Sequence, residues 1–383
     1  MKFTVKKSEM EKAMVQIDTI VPGRDTQTLL SNVLILIENS NIKITASDME
    51  STVRITLDAE NCTNGELIVK ARKLSEISRQ INSDKIVFTA EDSEETDEKN
   101  DEKMYRIKLE GNGGKAARFR MSGFDRSHFP DLNEISREKL FQIPGDILTE
   151  MISKTFYSIS QEDNRYIYNG LFFSSKGNRL TIVGTDGRRL AAITRELPKP
   201  VSIGNDENGD VVVHAKAIRE LQKIMNVQNE VHFGIEQRDI FFRIENAELS
   251  SRLLEGKFPD YNKVIPGDAT IWFDVDRDVL LNAIKQIMVM TEQPSHQVKM
   301  SITASKVVMM ANTPDVGEAE IDLPVSVHGD ELEIGFNANY FLDILKSISC
   351  SRVKLKFIDA ARPIVFEDPD DKDFIALVMP MKI

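Results

Sequence analysis

Residues 31–57 read SNVLILIENSNIKITASDMESTVRITL, and the chain repeats the same pattern twice more. It returns as YNGLFFSSKGNRLTIVGTDGRRLAAIT over 168–194 and as HQVKMSITASKVVMMANTPDVGEAEIDL over 296–323. Each stretch is a hairpin-like run of alternating apolar residues, a turn and a return strand. Each leads into another strand and a short amphipathic helix: GELIVKARKLSEISRQI, then GDVVVHAKAIRELQKIM, then ELEIGFNANYFLDILKSI. Each is preceded by a strand and a helix, anchored by Phe3, Phe141 and Phe273. The repeat offset of about 130–140 residues is far too long for a solenoid and has the size of a whole domain. The expectation is three domains over 1–134, 135–266 and 267–383.

Strands dominate these repeats. Turn residues punctuate them at Asn39-Ser40, at 111–114, at Lys176-Gly177 and at Asp186-Gly187. The first helix of each repeat is SEMEKAMVQIDTIV, GDILTEMISKTFYSI or DRDVLLNAIKQIMVM, with Ser8, Asp146 and Asp276 as expected N-caps. Two helices per repeat that do not alternate with single strands predict an α+β fold, with helices on one face of antiparallel sheet. A helix that buries one stripe, such as Met10, Met14 and Ile17, leaves the opposite face for a partner.

Composition excludes several classes. No apolar run is long enough for a membrane span, and MKFTVKKSEM lacks a signal-peptide core. Cys62 and Cys350 are lone cysteines in different repeats, which predicts a reducing cytoplasm. The five histidines show no ligand spacing, so no metal and no cofactor are expected. The net charge of −12 is uneven: EDSEETDEKNDEK, Glu91 to Lys103, holds eight acids and two lysines and reads as a solvated hairpin loop.

Against that negative background the helices carry recurrent cations. Arg79, Lys223 and Lys346 align across the second helices, with Arg72, Lys73, Lys216 and Arg219 nearby. The first helices add Lys12, Lys154 and Lys285. Such a set can meet phosphates without reading bases, giving weak, salt-sensitive contact. Each alone also reads as an ordinary solvated helix residue.

Catalytic motifs are absent. Asp48 and Asp186 match between repeats, with Asp315 near the third position, and read as turn acids; an acid–base role for Asp186 is the alternative. The end, FIALVMPMKI, is apolar to its last residue: either an edge strand or one wall of a peptide groove.

Five segments carry a resemblance: MKFTV at the start, TDGRRLA at Thr185, GKFPDYNKVIP at Gly256, EIGFNANYFLDIL at Glu333 and VMPMKI at the end. Over the whole chain the sequence resembles the bacterial sliding clamp family, the beta subunit of DNA polymerase III. The resemblance implies a non-catalytic processivity factor, a head-to-tail homodimer whose six domains form a ring around duplex DNA. It implies a groove for short linear motifs of the replicative polymerase, the clamp loader and repair proteins.

That groove would be walled by Tyr168, Thr185, Gly187, Arg188, Arg189 and Leu190. Pro259 and Val264 would come from FPDYNKV, with Asn337 and Tyr340 at the edge. Ala361, Pro363 and the tail Leu377, Val378, Met379, Pro380, Met381 and Lys382 would close it. Tyr168 stands for a family leucine, Arg188 for a histidine, Ala361 for a valine and Pro363 for a serine, so its shape should differ. DNA-facing positions would be Arg24, Arg79, Lys154, Tyr166, Lys216, Lys223 and Lys346, with Glu162 replacing a family glutamine. Phe119 and Met121 would meet Met290 or a neighbour across the subunit contact. A non-ring peptide-binding scaffold is the alternative from another class, and a carboxylate-dependent hydrolase a third.

Overall fold

The structure, a computed structural model, describes residues 1–18, 20–21, 29–93, 104–112, 117–130, 140–203, 210–314 and 316–383. Among them are α1 (Lys7–Ile17), α2 (Ala71–Gln80), α3 (Gly145–Thr155), α4 (Ala215–Ile224), α5 (Arg277–Met288) and α6 (Ala338–Ser347). That is the expected pair per repeat. Each opening stretch holds three antiparallel strands, for example Asn32–Glu38, Asn41–Ser47 and Ser51–Asp58 in the first. Arg24, Asp315, the acidic run from 94 to 103, the linker 131–139 and the 113–114 turn lie outside the described residues.

The chain divides into two compact units, Met1–Asp146 with Lys216–Leu253, and Ile147–Ala215 with Leu254–Ile383. The division runs through the middle repeat. In the first unit thirteen described strands form one sheet, from Phe141–Pro144 at one edge to Glu60–Thr63 at the other. Middle-repeat and first-repeat strands join at Ala247–Arg252 and Ser51–Asp58, with Leu249 opposite Val53 and Glu248 opposite Arg54. Phe3 stacks on Phe88 at 4.6 Å. α1 buries Met10, Ala13, Met14 and Ile17 as its 3.6-residue pattern requires.

In the second unit a nine-stranded sheet runs from Val211–His214 to Val327–His328. Its join is Arg189–Glu196 with Asp371–Val378, Leu190 opposite Leu377. A separate four-stranded sheet has Gly317–Leu323 at one edge and Leu332–Asn337 at the other. α5 and α6 bury Leu280, Ile284 and Ile287 and Phe341, Ile344 and Leu345. Phe341 stacks on Phe336 at 3.8 Å and meets Phe366 edge-on at 4.7 Å.

Three local expectations are corrected. α1 begins at Lys7 with no side-chain cap, so Ser8 lies inside its first turn, and Asp146 likewise lies inside the first turn of α3. Asp276 does cap α5, accepting from the amides of Asp278 and Val279 at 3.0 Å each. The apolar end is not an edge strand: Asp371–Val378 pairs on both sides, with Arg189–Glu196 and with Ile364–Asp368. A strand buried from both sides reads as a continuous apolar run.

Candidate functional site: a partner groove, helix-end cations and two open sheet edges

The residues expected to wall the groove lie in the second unit, around the turn at 185–189. Asp186 Oδ1 accepts from the amides of Arg188 and Arg189 at 2.8 and 2.9 Å. The Thr185 hydroxyl donates to the Arg189 carbonyl at 2.7 Å and accepts from the Gly187 amide at 3.0 Å. Gly187 has φ +80°, and a Cβ there would lie 2.8 Å from Arg165 Nη1. Glycine therefore suits this turn on conformation and on space. Asp48 makes the same turn in the first unit, accepting from Glu50 and Ser51 amides at 3.0 and 2.7 Å. One oxygen of each carboxylate holds its turn, as the turn-acid reading expected, and the other meets a cation, Lys216 or Arg189.

Leu190 and Leu377 lie in an apolar cluster with Phe172, Leu254, Phe258 and Val365, and Tyr168, Tyr261 and Ile265 pack against it. Phe172 stacks on Phe258 at 4.6 Å, and Tyr168 meets Phe258 edge-on at 6.1 Å. Pro259 is exposed beside Phe258, and Val264 is 46% exposed. Ile364, next to the buried Pro363, pairs with Val378. Beyond Val378 the tail is tied at three points. Met379 donates to the Arg188 carbonyl and Met381 to the Gly335 carbonyl, each at 2.8 Å, and the Gln297 amide donates to the Lys382 carbonyl at 2.8 Å. Met379 is 40% exposed, Pro380 follows it, and Ala361 is exposed. The floor residues Phe172, Leu254, Phe258 and Ile265 were missed in the sequence. The signal for Phe258 was present: HFPDLN at 128–133 and KFPDYN at 257–262 repeat the same Phe-Pro-Asp element.

Arg189 is held by two acids. Its Nε meets Asp186 at 3.0 Å, its Nη1 meets Asp343 of α6 at 2.5 Å, and its guanidinium lies 4.6 Å from the Tyr340 ring centre. Asn337 caps α6 by accepting from the Asn339 amide at 2.9 Å. Both shape the wall.

Lys154 is the clear correction among the helix cations. It is 5% exposed, with its ammonium 2.7 Å from Asp371 and 3.1 Å from Glu150. Arg195 binds the same two carboxylates. Hydrogen bonds from Arg195, then from Lys154, hold the Glu150 carboxyl below its usual range. Burial would raise Asp371; the bonds from Arg195 and Lys154 outweigh it and hold it low as well. A cation locked in such a cluster is not available to phosphate.

The other described positions reach solvent to differing degrees. Arg79, Lys223 and Lys346 each occupy the last turn of α2, α4 and α6, where a cation also suits the helix dipole. Arg79 is half exposed with Asp18 3.7 Å away, and Lys223 lies 3.2 Å from Glu220. Lys346 and Tyr166 are exposed. Lys216 is partly exposed and bound to the Asp48 carboxylate.

Among the described residues, two strands that match those of the closed joins have an edge left wholly or largely unpaired. Arg118–Phe124 pairs along its length with Met104–Gly111 but meets Gly65–Lys70 only at Gly123 and Phe124. Gly317–Leu323 has Val307–Thr313 as its one described neighbour. Phe119 and Met121 are half-buried on the first edge. Beside the second, the Met290 carbonyl accepts from Thr313 at 2.7 Å, its Cε reaches within 2.9 Å of a Cβ built on Gly317, and Val289 is 78% exposed.

Three family models match in succession: the DNA polymerase III beta subunit N-terminal domain over residues 1–133, its central domain over 142–260 and its C-terminal domain over 262–382. The chain belongs to the DNA polymerase III beta subunit family. A beta sliding clamp of Chlamydia pneumoniae is 28% identical over 383 residues, covering 100% of this chain and 99% of the relative. One from Salmonella typhimurium is 29% identical over 391 residues, with both chains fully covered. A Pseudomonas aeruginosa sliding clamp solved with griselimycin bound superposes with TM-score 0.90 at 28% identity over all of both chains. A Bacillus subtilis clamp gives 0.89 at 25%, covering 100% of this chain and 99% of that one.

This is therefore a sliding clamp, a non-catalytic processivity factor of DNA replication, with the three-repeat α+β fold of that family. The clamp identity accounts for the lack of a catalytic motif and for Asp48 and Asp186 holding their turns and pairing with Lys216 and Arg189. Among the described residues no group of His, Cys, Asp and Glu could hold a metal ion, and no helix is long and apolar enough to cross a membrane.

Proposed function

We propose that two copies of this clamp close head to tail into a ring around duplex DNA and tether the replicative polymerase there. The observation that carries the ring is the pair of open edges. Strands of repeats one and two join at Ser51–Asp58 and Ala247–Arg252, and strands of repeats two and three join at Arg189–Glu196 and Asp371–Val378. The corresponding strand of repeat three, Gly317–Leu323, and that of repeat one, Arg118–Phe124, have no such join among the described residues. Continuing the register of the closed joins sets Arg118 of one copy opposite Glu320 of the other, and Arg120 opposite Glu318. Phe119 then lies beside Ala319, and Met121 beside Gly317, near Met290. The closed join offers a precedent: Glu248 faces Arg54 there, with 3.4 Å between charges.

The three domains run over 1–134, 135–266 and 267–383. Arg24, Arg79, Tyr166, Lys216, Lys223 and Lys346 face the duplex, and the groove at the chain's end takes short motifs from polymerase, clamp loader and repair proteins in the cytoplasm. A closed ring cannot leave the duplex sideways, so phosphate contacts need not be strong. Loading the protein on nicked circular and on linear DNA tests this: the ring stays on circles and runs off linear ends. Equal loss from both would overturn it. Phe119→Asp with Met121→Asp buries unpaired charge in the contact; a variant that still sediments as a dimer would remove the interface.

A further inference from the structure

We infer that the groove selects peptides whose apolar anchors are flanked by acidic residues, an inference that rests on the partner-groove reading above. The chain as a whole carries −12, yet four exposed cations stand around this apolar floor. Arg188 is exposed at the turn whose carbonyl holds Met379. Lys263 stands between Tyr261 and Ile265, which both pack on the floor, and its side chain is 81% exposed. Arg362 is exposed just before Pro363 and Ile364, at the level where Ile364 meets Val378. Lys382 is exposed next to Met381.

Acids stand near these cations as well, among them Glu162 by Arg188 and Asp210 by Tyr261. Asp359 Oδ1 accepts from the amides of Ala361 and Arg362 at 2.8 and 2.9 Å. Asp260 Oδ1 accepts from the Asn262 amide at 3.3 Å, and its other oxygen lies 3.5 Å from Lys263. Arg189 adds nothing to the rim, since Asp186 and Asp343 hold it. The floor is apolar and supplies affinity by burial, without regard to flanking charge. The rim adds charge complementarity, which steers encounter and rejects like-charged partners. Exposed pairs are individually weak, so a few together amount to roughly a fivefold preference.

The test uses the full-length dimer and three fluorescein-labelled peptides with one Gln-Leu-Ala-Leu-Phe core, flanked by Asp, by Ser or by Lys. Fluorescence polarisation at about 50 mM salt should show the Asp-flanked probe about fivefold tighter than the Lys-flanked one, with the ratio closing towards one at about 0.5 M salt. Lys263→Gln with Arg362→Gln should shrink the low-salt ratio. Equal affinities, a preference for Lys, or a ratio indifferent to salt or to those substitutions would overturn the inference while leaving the groove in place. Failure of all three probes to bind would remove the groove reading itself. Displacement of the Asp-flanked probe by an equal concentration of single-stranded oligonucleotide would assign the rim to nucleic acid instead.

Discussion

The amide of Met379 donates to the carbonyl of Arg188 at 2.8 Å, tying the last residues of the chain to a turn in the middle repeat. The first unit makes the same bond: the Arg252 amide donates to the Glu50 carbonyl at 2.9 Å. The backbones match, but the side chains differ. Where the second unit pairs Leu190 with Leu377, the first pairs Thr52 with Ser250. One join therefore presents an apolar floor and the other does not, so a single partner groove per chain is expected. Met379→Ala with Met381→Ala should weaken a Gln-Leu-x-Leu-Phe peptide by at least about tenfold, since each truncation removes contact worth on the order of 1 kcal/mol. Unchanged polarisation titrations in that double variant would show the tail to be a strand extension with no part in binding.

The turns themselves give a stability prediction. Met49 holds φ +76° at the place where the second unit has Gly187 at φ +80°. A left-handed methionine carries strain that glycine does not, and Met49 is 62% exposed, so little packing is lost by removing it. Met49→Gly should be neutral or stabilising by up to about 1 kcal/mol. The reverse change, Gly187→Ala, should destabilise because its Cβ meets Arg165. Urea midpoints for the two variants should move in opposite directions, and a clear loss in Met49→Gly would refute the strain.

The cluster of Glu150, Lys154, Arg195 and Asp371 predicts acid sensitivity. Both carboxyls are held below their unfolded values. Their contribution is thus complete above the ordinary carboxylate range near pH 4 and is lost as pH falls through their lower folded values. Asp371→Asn leaves Lys154 and Arg195 short of a counter-charge in a largely buried site and should cost about 2–4 kcal/mol at neutral pH. The penalty should shrink as pH falls below the ordinary carboxylate range and the wild-type carboxyls take up protons. Thermal unfolding from pH 3 to 7 checks this, and a pH-independent difference would show that the cluster acts through packing alone.

Much of this was legible in the sequence because a repeat shows three times what a single domain shows once. Alternation in residues 31–57 predicted the three strands there, and the apolar stripe of α1 predicted its buried face. Lys154 was misread because its partner Asp371 is 217 residues away, and helix periodicity records only that a position is polar. The tail stayed ambiguous for the same reason: whether FIALV lies at an edge depends on Leu190 and its strand, far away in sequence. Ser8 and Asp146 failed as caps because an isolated Ser or Asp near a helix start does not fix the first helical residue to within one position.

Charge at the helix ends predicts the behaviour on DNA. Changing Arg79, Lys223 and Lys346 to Glu should shorten retention on circular duplex and flatten its dependence on salt, since fewer counterions are released. The three side chains lie on solvent faces, so the fold should survive with an unchanged circular dichroism spectrum. Lys154→Met serves as the contrast: it should alter stability and leave the salt slope alone. A triple variant with wild-type slope would mean that these helix ends do not meet the duplex.

The proposed subunit contact makes the most selective prediction. Arg118 and Arg120 lie on the open edge of the first unit, while Glu318 and Glu320 are exposed on the open edge of the second. Arg118→Glu with Arg120→Glu should place like charges opposite one another in the shared ladder, which destabilises strand pairing. That variant should sediment as a monomer at concentrations where wild type is dimeric. Glu318→Arg with Glu320→Arg should do the same alone. Mixed in equal amounts, each variant carries one wild-type edge and one reversed edge, and the two reversed edges complement each other. One of the two contacts in a mixed ring then joins wild-type edges, and the other joins reversed edges of opposite sign. Mixed dimers should therefore form, and should load on circular DNA, when neither variant does so by itself. Monomeric variants that fail to rescue each other would indicate unfolded edges. Variants that stay dimeric on their own would place the subunit contact elsewhere on the chain.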